Sequence, residues 1–167
     1  ALFGADYRAA FDLSDGAFGG LYTVATLASA ATMLFAGKLA DRVDPARLGA
    51  AGRAGLACAA VLAATAPHAA VLAIAFFGLR LFGQGLPGQV AMTAIARWYD
   101  AQRGRAVSVA ALGYPMGEAL FPPIAVALLM ATDWRGVWFA AAGFAALGVA
   151  PVVYVLMRRP PTPAAGA

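Results

Sequence analysis

Five long apolar runs, each bounded by charge or by turn residues, dominate the chain. A hydrocarbon core about 30 Å thick takes about 20 apolar residues of helix, so each run predicts one membrane-spanning helix. The first covers residues 16–37 without a charge and opens on Ser14-Asp15, a pair suited to capping a helix N-terminus. The second, 49–66, is short and admits Arg53 near its end, where a long side chain can snorkel to the headgroups. Pro67-His68 predicts its turn. The third, 69–96, carries Arg80 in its interior, the fourth, 106–132, carries Glu118 near its middle, and the fifth, 136–157, is uncharged. The predicted fold class is all-α integral membrane. Residues 1–15 read as an extracytoplasmic segment, 16–157 as a five-helix bundle, and 158–167, rich in Pro and Ala, as a cytoplasmic linker.

Composition agrees, with 62% hydrophobic residues and 12% charged, where a water-exposed surface carries roughly 25–35% charged residues. The net charge of +4 does not predict a nucleic-acid partner, because the cations sit in short patches between apolar runs and not on one reading face. A single cysteine, Cys58, excludes an intramolecular disulfide and a Cys-rich metal site, and no cofactor is expected. The partner the sequence demands is the lipid bilayer.

Basic residues near span ends stay cytoplasmic. Lys38, Arg42, Arg47 and Arg53 follow the first span, Arg97, Arg103 and Arg105 the third, and Arg158 and Arg159 the fifth, which puts nine of the 12 on one side. Residues 38–48, 97–105 and the C-terminus are therefore expected in the cytoplasm, in a plasma membrane such as the bacterial inner membrane. Trp98 and Tyr99 at one interface, and Trp134 and Trp138 at the other, fit the same arrangement. An odd number of spans leaves residues 1–14 outside with no initiator Met or signal sequence. A further helix is expected upstream, making a six-helix unit.

Small residues one turn apart let helices approach closely in lipid. Gly16 and Gly20, Ala25 and Ser29, and Gly113 and Gly117 have that spacing and predict close contacts in a tight bundle. Polar residues on spans should face protein or a watery cavity. Tyr22, Thr26 and Ser29 form one helical stripe, Arg80 and Gln84 a second, Tyr114 and Glu118 a third. The first stripe also suits plain helix-to-helix hydrogen bonding. A charge at the bilayer centre costs about 2.5–3.5 kcal/mol or more, so Arg80 and Glu118 need a reason. One is a structural ion pair; the other is a central cavity in which Arg80 meets an anionic substrate group while Glu118 is its counter-ion or carries a proton.

In the loop after the first span, Gly37-Lys38-Leu39-Ala40-Asp41-Arg42 with Arg47 beyond resembles the signature loop between the second and third helices of the major facilitator superfamily. Physically, the Gly allows a close crossing, the Asp can cap a neighbouring helix and the Args hold the loop inside. Arg80 with Gly83 and Gly85 resembles the family's fourth helix, Arg97-Trp98-Tyr99 through Arg105 its loop into the fifth, and Gly113-Tyr114-Pro115-Met116-Gly117 with Pro122-Pro123 the fifth helix itself. Asp133-Trp134-Arg135 resembles the opening of the sixth. Asp44-Pro45-Ala46 departs from the family pattern by standing before the further basic residues, and the glycines follow Arg80 at three and five residues, not four and six. The resemblance implies helices two to six of a twelve-helix transporter. Asp41 and Arg42, joined by Asp100, would help latch two halves in one access state, with a second helix bundle of the same chain as partner.

Gly83-x-Gly85-x-x-Gly88 matches a dinucleotide fingerprint as a string but lies mid-span, without the strand that motif needs. His68 in a turn and Cys58 as a buried thiol read as structural. Ser29, Ser108 and His68 lie at different depths and make no nucleophile–base pair. The chain is thus expected not to be an enzyme but a secondary transporter of small solutes. Arg80 favours organic anions and Glu118 allows proton coupling. The alternatives are drug or cation efflux by the same superfamily and a non-transporting membrane anchor or interaction protein.

Overall fold

Each apolar run becomes a helix, because lipid offers no hydrogen bonds to an open backbone and a helix satisfies its own. The computed structural model describes residues 3–99 and 102–158, except the side chains of 38–41. A short helix α1 (Gly4–Phe11) precedes α2 (Asp15–Arg42), α3 (Pro45–Thr65), α4 (Ala69–Trp98), α5 (Arg103–Leu129) and α6 (Trp134–Met157). No strand occurs among the described residues. All five helices after α1 are long and apolar enough to cross a membrane.

The helix starts follow local chemistry. Ser14 Oγ accepts from Ala17 N–H at 3.1 Å, so the expected cap forms. Asp44 caps α3 by accepting from Ala46 N–H at 2.7 Å, and Pro45 fills the first turn, where its missing N–H costs nothing. Asp133 does the same for α6, accepting from Gly136 N–H at 2.8 Å. Capping explains why α3 begins four residues before the expected apolar run at 49. Met130–Asp133 form the turn that ends α5 at Leu129, short of the expected 132.

Helix α3 is the hub, packed against α4 and α6, while α2 lies on α4. Three buried clusters stack along the bundle. At one end Phe3 and Tyr7 from α1 and its approach join Phe76, Val137 and Trp134. The Tyr7 ring meets Phe76 at 5.3 Å and Trp134 at 5.0 Å, both edge-on. The segment expected as an extracytoplasmic connection is thus a docked helix, ended by Asp12 in the left-handed region at φ 50°. An alanine cluster (Ala57, Ala60, Ala142, Ala145) fills the middle, and Leu48, Leu86 and Val90 the basic end.

The close approaches fall elsewhere than expected. A Cβ at Gly16, Gly20, Gly113 or Gly117 would meet nothing within 4 Å, and the same holds at Gly37 of the signature segment. Of the three expected pairs, Ala25 and Ser29 are buried. The tight contacts belong to α3 and α4: a Cβ at Gly52 would meet Leu86 at 2.8 Å, at Gly55 the Phe82 ring at 2.9 Å, and at Gly78 the Ala59 Cβ at 2.8 Å. Gly49, Gly52 and Gly55 repeat every third residue, so the close contacts follow a three-residue and not a four-residue spacing.

Candidate functional site

Arg80 stands eleven residues into α4, about 16 Å from that end of the helix. Directly after it the helix widens to a π turn over Leu81–Gly85, closed by Leu86 N–H to the Leu81 carbonyl. Pro87 supplies the reason, since it has no N–H to give and its ring crowds the carbonyl four residues back. A second π turn, Phe144–Val149, likewise ends two residues before a proline, Pro151. Such turns cluster at functional sites, and this one carries Gln84.

The half-buried Arg80 side chain donates from Nη1 to Gln84 Oε1 and from Nη2 to the Tyr22 hydroxyl. Its guanidinium carbon also lies 4.8 Å from the Tyr22 ring centroid. Phe76 braces that ring edge-on at 5.7 Å. Both hydrogen-bond partners are neutral, so they orient the cation without cancelling it. Two of the three polar stripes, Tyr22 on α2 and Arg80 with Gln84 on α4, therefore meet. Thr26 does not join them, because its hydroxyl donates back to the Tyr22 carbonyl at 2.8 Å within its own helix. Ser29 is buried further along the stripe.

Glu118 lies eleven residues from the end of α5 at Leu129, which puts it at the same depth as Arg80. The two form no ion pair; among the described residues the one salt bridge joins Arg8 to Asp15 near α1. The structural ion pair, one of the two readings of these charges, does not form, for a packing reason. α5 meets the bundle mainly near its ends, against the close of α4 and the start of α6, and Tyr114 and Glu118 are both exposed. Tyr114 and Glu118 share one face of α5, one turn apart.

The signature segment is less a loop than expected, since α2 stays helical through Arg42, whose side chain is exposed. Val43 and Asp44 alone separate it from α3. Asp44 caps α3, which turns the Asp44-Pro45-Ala46 departure into a helix start. Arg97 ties the turn to the end of α4 by donating to the Val43 carbonyl at 3.4 Å. The Asp41 side chain and Asp100 lie outside the described residues. At the opposite end, Arg135 donates to the Ala64 carbonyl at 2.7 Å and stacks on Trp134 at 4.5 Å, satisfying a C-terminal carbonyl of α3. Cys58, expected buried, is exposed, and His68 is an exposed turn residue whose carbonyl accepts from Val71 and Leu72. Among the described residues no three His, Cys, Asp or Glu side chains gather as a metal site.

No curated protein and no solved structure matches the chain. The family model of the Major Facilitator Superfamily matches residues 1–167, the whole length. With five spanning helices, a mid-membrane arginine held by neutral partners and this match, the chain belongs to the major facilitator superfamily of membrane transporters.

Proposed function

We propose that this bundle works in a secondary transporter that carries small organic anions by alternating access, with Arg80 as the anion-binding charge and Glu118 as a proton carrier. One observation carries the reading: Arg80 is fixed at mid-depth by Tyr22 and Gln84, two neutral groups, and no carboxylate of the described residues neutralises it. A buried cation is costly unless something pairs with it, and a substrate carboxylate meets that need with the bidentate geometry arginine favours. Glu118 lies at the same depth as Arg80, eleven residues from the end of its own helix, which supports proton movement coupled to substrate charge. The end of the bundle with Arg42, Arg47, Arg97 and Arg158 is the cytoplasmic one on this reading. Asp41, Arg42 and Asp100 belong to the latch between access states, against a second bundle.

The exposed, unpaired Glu118 supports a second reading, efflux of a cationic drug. Uptake and efflux of labelled small carboxylates in cells expressing the gene separates the two. A hydrogen bond to a charged group is worth about 1.5–3 kcal/mol, so Arg80→Gln should lower carboxylate kcat/KM roughly 10- to 100-fold, Arg80→Lys less, and Glu118→Gln should remove pH dependence. Carboxylate flux unchanged in Arg80→Gln, with the protein folded in the membrane, would sink the anion site. Loss of cation efflux in Glu118→Gln with no carboxylate flux would establish the second reading.

A further inference from the structure

We propose that a cleft between α3, α4 and α6, at the basic end of the bundle, is a binding site for one anionic phospholipid, whose phosphate pairs with Arg53. The cleft has a volume of about 190 Å³, and Arg53 lines it together with Leu48, Pro87, Val90 and Met157. Gly49 and Gly52 of α3 also line it, and there the helices approach so closely that a Cβ would strike Val153 at 2.9 Å or Leu86 at 2.8 Å.

Arg53 is the anomaly in this setting. It is half-buried, yet among the described residues it takes part in no hydrogen bond or ion pair. Arg80 has Tyr22 and Gln84, and Arg135 has the Ala64 carbonyl. The carboxylate at the same end of α3, Asp44, is committed to capping the helix through Ala46 N–H. A partly desolvated guanidinium without an anion is unfavourable, and its planar fork matches a phosphate. The remaining wall is aliphatic, which suits an acyl chain and offers nothing to a freely soluble anion. Arg47 at the start of α3 and Arg158 just past the end of α6 add positive charge at the same end. Basic pockets between spanning helices at the cytoplasmic face are where lipid headgroups of this charge bind.

The test is native mass spectrometry of the full chain released from mild detergent, supplemented with phosphatidylglycerol or with phosphatidylcholine of the same acyl chains. Wild type should retain a single phosphatidylglycerol and hold phosphatidylcholine at least about fivefold more weakly. Arg53→Gln should lose that preference, and Arg53→Lys should keep most of it. Ala91 also lines the cleft, so Ala91→Phe, which fills it while leaving Arg53 in place, should lose the bound lipid too, and it decides the matter if Arg53→Gln does not fold. Inorganic phosphate should not displace the lipid. Equal retention of both lipids by wild type, retention of phosphatidylglycerol by Arg53→Gln and Ala91→Phe, or displacement by inorganic phosphate would each overturn the proposal.

Discussion

Helices α3 and α5 are nearly equal as sequences and opposite as structures. Their most apolar windows have mean hydropathy 1.5 and 1.3, but 44% of the first is buried within the bundle against 6% of the second. α3 presents glycines and alanines to two neighbours and starts on a capping Asp44. α5 has its own small-residue pair, Gly113 and Gly117, with open space around both, and its first turn after Gln102 has no side-chain cap. Hydropathy reports only that a helix prefers lipid to water. Whether it packs on protein depends on shape across the interface, since lipid is as apolar as any neighbour.

The contrast can be broken by substitution, and the largest effect should come from overpacking. Gly52→Leu drives side-chain atoms into Leu86 and should cost about 1–3 kcal/mol of stability, read as a lower melting temperature in detergent. Gly117→Leu should stay within about 0.5 kcal/mol of wild type. A comparable loss there would show that the open face of α5 has an occupant. Next in size, Asp44→Ala removes a cap and should cost about 1 kcal/mol, whereas Gln102→Ala should be close to silent in the same melt.

The smallest expected effect concerns the aromatic end. Tyr7 is buried and its hydroxyl, like the neighbouring Trp138 indole N–H, closes no well-formed hydrogen bond. Tyr7→Phe should therefore be neutral or slightly stabilising at pH 7, because it removes a polar group that burial leaves unsatisfied. Burial pushes the Tyr7 pKa above its ordinary value. The unfolded chain then releases the phenolic proton first as pH rises past about 10, so wild-type stability falls there. Tyr7→Phe should flatten that alkaline fall; identical pH profiles for the two proteins would contradict the burial argument.

Much of the fold was legible because a membrane span is a one-dimensional signal. The absence of charge over 16–37 and 136–157 and the cap at Ser14 are local facts, and a helix formed over each apolar run, with ends shifted by a few residues as at Pro45, Arg103, Leu129 and Trp134. The Arg80–Gln84 stripe was legible for the same reason, since i and i+4 share a face. Its meeting with Tyr22, 58 residues earlier, was not. Nor was the π turn, although Pro87 near Gly83 and Gly85 was a readable hint. The Gly49–Gly52–Gly55 stripe was present, but neither three- nor four-residue spacing says which glycines meet a neighbour.

By itself, then, the sequence determined that the chain is helical, how many times it can cross a membrane, where helices start and which positions carry charge, because lipid, capping and charge act on neighbours along the chain. Only the tertiary structure decided which charges acquire partners. Arg80 is held by Tyr22 and Gln84, Arg135 reaches Ala64, Arg53 is left without an anion, and Glu118 stands apart from Arg80. Those outcomes depend on how closely two helices approach, which is fixed by the fit of side chains across an interface and not by the polarity of either helix.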